Sequence, residues 1–244
     1  MAATVDIVIP VLNEEVAIPV CIEKLYAFID QHPERDWRVI VTDNGSSDRT
    51  TEIATELAAV YPKLSVSTLD QRGRGRALKK AWTESDADVR VYMDVDLSTD
   101  LMSLPLLVAA VADDEYEVAI GSRLIKGSEV VDRTLKREIT SRGYNMLIHI
   151  FFPFPGFKDA QCGFKAVSRK TADNLIPLIR DDAWFFDTEL LLIAGKSGYG
   201  IKEIPVHWED DPDTRVKIAS TAWEDVKGLL RLRFKGRPTP TSTA

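Results

Sequence analysis

Short apolar runs along this chain alternate with stretches in which apolar residues recur every three or four positions. Val5 to Val11 is an apolar run closing on Pro10 and Val11, and from Glu14 onward Ile18, Cys21, Ile22, Leu25, Phe28 and Ile29 fall at helical spacing. That is strand, turn, helix. Asn13 is placed to cap this helix, with Glu14 and Glu15 at the positive end of its dipole. Arg38 to Thr42 reads as a second strand, Asp43 to Asp48 as a polar turn, and Ile53, Ala54, Leu57 and Val60 mark a second helix. Leu64 to Leu69 is a third strand, followed by a Gly73-Arg74-Gly75 turn and a helix through Trp82. Val89 to Met93 is a fourth strand ending at Asp94, with a helix over Leu104 to Val111 and a strand over Val118 to Ile120 behind it. Strands alternating with helices of this length predict an α/β domain with a mostly parallel, mixed central sheet and helices on both faces. Ligands in such sheets bind beyond the carboxyl ends of the strands. Asn13, Asp43, Asp94 and Asp96 all fall at or just past such ends.

After Gly121 the periodicity weakens. Leu135, Ile139, Met146, Leu147 and Ile150 predict a helix running into the aromatic stretch Phe151 to Phe157, and Ser220 to Phe234 predict a final amphipathic helix carrying Lys227, Arg231 and Arg233. A basic amphipathic helix suits a membrane surface, and it equally suits docking on a core with its cations in water. The expected division is one domain over 1–219, then over 220–244 the C-terminal helix and a Pro-, Thr- and Ser-rich tail or linker. At 244 residues and 45% hydrophobic the chain is long enough for one sizeable core. A formal charge of −7 disfavours nucleic acid as a partner, because that affinity comes from neutralising phosphates with Lys and Arg. Cys21 and Cys162 are far apart and suggest neither a disulfide framework nor a metal knuckle, which fits a reducing, cytoplasmic setting. No signal peptide is expected, and the apolar stretch Met146 to Phe157 is too short to span a bilayer.

Chemistry concentrates in Asp94-Val95-Asp96. Strand alternation would point both carboxylates the same way, and two hard oxygen ligands suit Mg2+ or Mn2+ shared with diphosphate oxygens. Taken alone, such a pair is more often a strand end than a metal site. Its context is a set of motifs in a defined order. Ile9-Pro10-Val11-Leu12-Asn13-Glu14-Glu15, Thr42-Asp43-Asn44-Gly45-Ser46-Ser47-Asp48 and Asp94-Val95-Asp96-Leu97-Ser98 resemble the inverting family 2 glycosyltransferases, whose fold is of the GT-A type. Gly121-Ser122-Arg123, Ser141-Arg142-Gly143-Tyr144-Asn145, Asp159-Ala160-Gln161-Cys162-Gly163-Phe164-Lys165 and Phe186-Asp187-Thr188-Glu189-Leu190 resemble the subgroup of dolichol-phosphate mannose and glucose synthases, and the resemblance runs to about Phe234.

The resemblance implies that Pro10, Leu12, Asn13, Glu14 and Asp43 hold the nucleotide of a UDP- or GDP-sugar. Asp94 would lie near the ribose or metal, and Asp96 would ligate the metal. Arg123, Arg137 and Ser141 match positions that bind the acceptor phosphate, within a basic stretch that also holds Lys126, Arg133, Lys136 and Arg142. Asn44 replaces the commoner second Asp of its turn and Ser98 a Gln, which leaves base preference and a third metal ligand open. The expected reaction is inverting transfer of a hexose to polyprenyl phosphate at the cytoplasmic face of a membrane, with peripheral contact there and a membrane module fused or in partnership. A phosphomonoester is largely a dianion at neutral pH and attacks without a general base. With a hydroxyl acceptor, Asp159 would be the base; with a phosphate it would contact sugar hydroxyls or anchor its loop. Asp187 and Glu189 would touch the sugar or cap their helix. A catalytically silent nucleotide-binding domain of a larger membrane protein is the reading from another class. The Gly73-Arg74-Gly75 turn lacks the third glycine of a dinucleotide fingerprint. Arg72 or Arg74 would reach a diphosphate, or the turn would serve packing alone.

Overall fold

In a computed structural model the described residues are 2–132, 134–209 and 218–240; Arg133 and residues 210–217 lie outside them. Seven strands form one sheet in the order β3-β2-β1-β4-β7-β5-β8. These are β1 (Thr4–Val11), β2 (Asp36–Asp43), β3 (Leu64–Thr68), β4 (Val89–Met93), β5 (Val118–Ser122), β7 (Phe164–Ser168) and β8 (Ile201–Pro205). All neighbouring pairs are parallel except those of β7, which runs antiparallel to both β4 and β5. A small parallel pair, β6 (Glu129–Val131) with β9 (His207–Glu209), stands outside this sheet.

Alternation along the strands divides the core in two. Ile7, Ile9, Val91, Met93 and Ala119 face one cluster with helices α1 (Ala17–Ile29), α2 (Thr50–Val60) and α4 (Leu104–Ala112). Val8, Tyr92, Val118 and Ile120 face the other, with α3 (Arg74–Glu84), α5 (Leu135–Phe151), α6 (Arg169–Leu175), α7 (Phe186–Lys196) and α8 (Ile218–Phe234). Asp6 shares the second face and is buried, and it is satisfied by Arg38 and by the Ser85 hydroxyl at 2.6 Å.

The C-terminal helix is docked rather than splayed. Leu229 and Leu232 are buried in the second cluster, Gly228 lies against the Phe185 ring, and Arg231 turns inward to Glu189 at 2.8 Å. The aromatic stretch divides: Phe152 and Phe157 are core, whereas Phe154 is 98% exposed. Among the described residues no helix is long and apolar enough to cross a membrane.

Candidate active site

The carboxyl ends of β1, β2 and β4 lie side by side, and the turns that leave them are tied to one another. Asn13, at φ +56°, does not cap α1, which begins at Ala17 without a side-chain cap. Its Oδ1 instead accepts from the Ser47 backbone N at 2.7 Å and from the Ser47 hydroxyl. Glu14 and Glu15 likewise lie outside the first turn of α1. The Glu14 N donates to the Thr50 hydroxyl at 2.7 Å, and the Glu15 carboxylate accepts from Arg49 N at 3.0 Å. The expected cap and dipole contacts are therefore replaced by cross-links between two turns, because adjacent parallel strands leave unpaired backbone groups side by side.

Asp43, nearly buried, accepts from Ser46 N, the Ser46 hydroxyl and the Thr51 hydroxyl. Asn44 Oδ1 accepts from Gly73 N at 2.6 Å, joining this turn to the Gly-Arg-Gly turn. Pro10 pairs with Thr42 in the β1–β2 register, and Leu12 and Asn13 are half-buried just beyond it. The segment proposed for a nucleotide thus forms one continuous rim.

Asp94 and Asp96 do not share a strand face. β4 ends at Met93, and the pair occupies a turn with Leu97 at φ +55°. Asp94 turns inward to Arg74, while Asp96 is exposed and accepts from Ser98 N at 2.9 Å. A Cβ at position 163 would come within 1.8 Å of Asp94 Oδ2, so Gly163 of the Gln-Cys-Gly-Phe motif is the only residue type that leaves room for this carboxylate. No group of three or more His, Cys, Asp and Glu residues that could hold a metal occurs among the described residues. Two carboxylates fit Mg2+ or Mn2+ when the remaining ligands are phosphate oxygens and water.

Behind Asp94 lies a buried charged cluster. Arg74 bridges Asp94 at 2.5 Å and Asp187 at 2.7 Å, and Asp187 also meets Lys165 Nζ at 2.9 Å and the Tyr92 hydroxyl. Burial pushes the Asp187 carboxyl up, and the charges of Lys165 and Arg74 more than reverse this, leaving it below the usual carboxylate range. Lys165 is anchored from the other side by the Cys162 carbonyl at 2.5 Å.

The basic stretch forms a second centre. Arg123 meets Asp159 through Nε at 2.8 Å and Nη2 at 2.9 Å, and its backbone N donates to the same carboxylate at 3.0 Å. Its guanidinium carbon sits 4.7 Å from the centre of the Trp208 ring. Asp159 is wholly buried; burial raises its pKa, and the charge and hydrogen bonds of Arg123 outweigh that and bring it down to about 2. A surface cleft of about 450 Å3 is lined by Arg123, Ser128, Val130, Leu135, Glu138 and Arg142. Arg137 and Ser141 do not line it. Arg137 N is bound by the Thr134 cap, and the Ser141 hydroxyl is buried without a hydrogen-bond partner among the described residues. Tyr144 and Asn145 of the same motif are structural, one bonded to the Thr188 hydroxyl and the other to Ala160 N and the Ser141 carbonyl.

The two centres are joined by β9. Glu209 N donates to the Ser98 carbonyl at 2.9 Å and Asp100 N to that of His207 at 3.0 Å, so the segment after Asp96 lies against Trp208, on which Arg123 stacks. Sequence reasoning misses Tyr92 and Trp208. Tyr92 is indistinguishable there from any strand aromatic, and Trp208 is brought to Arg123 only by a pairing between distant segments.

The sequence profile of glycosyl transferase family 2 matches residues 6–176. Glycosyltransferase AglD of Haloferax volcanii is 40% identical over 230 residues, which cover 92% of this chain and 35% of AglD. Dolichyl-phosphate beta-glucosyltransferase ALG5C of Trichomonas vaginalis is 31% identical over 87% of this chain and 66% of its own length. The human dolichyl-phosphate beta-glucosyltransferase is 28% identical over 94% and 75%. The chain thus spans about a third of the length of AglD and about two thirds of that of ALG5C. Among solved structures, glucosyl-3-phosphoglycerate synthase from Mycobacterium tuberculosis, in complex with Mn2+, UDP and phosphoglyceric acid, superposes with a TM-score of 0.72 at 19% identity, covering 98% of this chain and 80% of that one. That likeness is one of fold.

Proposed function

Since the chain belongs to glycosyl transferase family 2, we propose that it transfers glucose from UDP-glucose to a polyprenyl phosphate, inverting the anomeric centre, with Mg2+ or Mn2+ as cofactor. The observation that carries this reading is the cleft lined by Arg123 and Arg142, whose Arg123 stacks on Trp208 of the strand that pairs with the segment following Asp96. A phosphate acceptor needs such cations and needs no base. Arg123 is held in one orientation by Asp159, which makes it a fixed donor for an anion. Asp159, near pKa 2 and engaged on both oxygens, suits this anchoring role better than proton abstraction. Arg137, on α5 with Arg142, would extend the acceptor site beyond the lining of this cleft, whereas the Ser141 hydroxyl is buried.

On the donor side, Pro10, Leu12, Asn13, Glu14 and Asp43 form the rim for the nucleotide, and Asp94 and Asp96 would hold the ion. Bound there, the ion would offset the charge that builds on the departing diphosphate. One oxygen of the acceptor phosphate forms a bond to the anomeric carbon on the face opposite the diphosphate. The bond from that carbon to the diphosphate oxygen breaks, and UDP leaves with the electron pair. The names of ALG5C and of the human dolichyl-phosphate beta-glucosyltransferase favour a lipid-phosphate acceptor, and the Mn2+ and UDP of the mycobacterial enzyme favour this donor and cofactor. Membrane contact is supported by α5, whose Leu135, Ile139, Met146 and Ile150 are 59 to 75% exposed and share one helical face leading away from the cleft, with Phe154 beyond it.

The test is nucleotide release by the purified chain with Mn2+ or Mg2+, across UDP- and GDP-sugars, with and without a short-chain polyprenyl phosphate. Release from UDP-glucose that needs both lipid phosphate and metal, and that Asp96→Ala abolishes, is the expected result. Turnover only with a hydroxyl acceptor would return Asp159 to the role of base, and no turnover with any donor would favour a silent domain.

A further inference from the structure

The Gly73-Arg74-Gly75 turn plays no part in the reaction as described, yet its backbone and its arginine are both tightly held. A Cβ at position 73 would lie 2.3 Å from the Asp182 carbonyl oxygen, and one at position 75 would lie 2.8 Å from Phe186 Cβ. Gly75 N and Arg76 N donate to the carbonyls of Ala183 and Asp182 at 3.1 Å each. The turn is therefore pressed against the segment that leads into α7, and only glycine on either side of Arg74 permits that approach.

The arginine is delivered inward. Its side chain is 12% exposed, with Nη2 at 2.5 Å from Asp94 and Nη1 at 2.7 Å from Asp187. Its guanidinium carbon is 5.0 Å from the centre of the Tyr92 ring and 5.1 Å from that of Trp184. Asp187 is held in turn by Lys165 and Tyr92, both fully buried. Two carboxylates and two cations make a neutral quartet whose outer member, Asp94, is the carboxylate pressed against Gly163. Neutrality matters here, since two uncompensated carboxylates would repel an incoming diphosphate.

We infer that Arg74 is a positioning residue for nucleotide binding: it fixes the Asp94 carboxylate by bracing it against Asp187, and it does so from behind, without contacting the nucleotide. The inference rests on the reading of Asp94 and Asp96 as the metal–diphosphate site. A planar fork is needed to reach both carboxylates at a set angle, and the single ammonium of a lysine does not provide one.

The experiment is calorimetric titration of the full chain with UDP, and separately GDP, in the presence of Mn2+, with folding checked by near-ultraviolet circular dichroism. For the nucleotide that wild type binds, Arg74→Lys and Asp187→Asn are both expected to weaken binding, by about 10- to 100-fold as outer-shell changes do. UDP lacks the transferred hexose, so a loss in Asp187→Asn cannot come from a contact with that hexose. Arg90→Lys is the control for a merely structural effect, because Arg90 is as deeply buried and pairs with Asp173; its binding is expected to stay at the wild-type level. Wild-type affinity in both site variants overturns the inference, and so does equal weakening in Arg90→Lys. Weakening by only one of the two means that residue acts without the other, which also overturns the brace. If Arg74→Lys fails to fold, Asp187→Asn decides. Wild type that binds neither nucleotide removes the metal–diphosphate reading itself, and the inference with it.

Discussion

Asp159 and Asp225 both accept from Gln161, one from its backbone N at 3.1 Å and the other from its side-chain amide at 3.3 Å, yet their protons are driven in opposite directions. Asp159 has Arg123 and falls to about 2, so its contribution to stability is present above the ordinary carboxylate value and is lost as pH falls through about 2. Asp225 on α8 is buried, lies near Asp181 and Asp187, and is pushed up to about 7, with Oδ1 unpartnered among the described residues. Between its unfolded value of about 3.9 and about 7 the folded chain binds the extra proton, so stability falls as pH rises through that window. Asp225→Asn is therefore expected to melt higher than wild type at pH 8, with the gap closing as pH falls toward 4; equal melting temperatures at pH 8 would contradict this. Neither shift is legible in the sequence, where both residues are ordinary aspartates and the chief charges acting on them, Arg123 on one and Asp181 and Asp187 on the other, are tens of positions away. Gly163 is half-legible: its motif marks it, and only the packed Asp94 carboxylate says why no side chain fits.

At the scale of elements, α8 and α5 answer different questions left open by their periodicity. α8 carries basic residues that suit a membrane, but Arg231 is spent inside the molecule on Glu189, a fully buried carboxylate on the first turn of α7. Removing that cation strands a buried charge, so Arg231→Ala is expected to cost about 3 kcal/mol in urea unfolding; a change below about 1 kcal/mol would mean that Glu189 finds other compensation. The exposed apolar stripe belongs to α5. If it meets a bilayer, replacing Ile139, Met146 and Ile150 together with Ser should reduce co-sedimentation with anionic vesicles while leaving thermal stability near wild type, since these side chains bury little in the folded chain. Unchanged sedimentation would remove α5 from the membrane contact. Helical spacing alone identified both elements, and neither pattern stated which face the protein itself would cover.

For the whole molecule, the sequence by itself determined the α/β class, the repeating strand–helix order through β5, the positions of Asn13, Asp43, Asp94 and Asp96 at strand ends, and the family, whose profile matches residues 6–176. These follow from local physics, because burial period, turn residues and short motifs are written in neighbouring positions. What it did not contain was the reversal of β7. Phe164–Ser168 looks like the end of a motif, and it becomes a central strand only by pairing antiparallel with β4 and β5, which lie far earlier in the chain. That insertion sets Gly163 against Asp94 and puts Lys165 beneath Asp187, and the pairing of β9 with β6 brings Trp208 to Arg123. Tertiary structure alone also gave Asp94 and Asp96 different partners, moved Asn13 from a helix cap to a turn-to-turn cross-link, and spent Arg123 on Asp159. In each case the deciding partner is distant in sequence. A charged side chain is directed by whichever opposite charge or backbone donor the fold brings within about 3 Å, and only the closed sheet specifies which one that is.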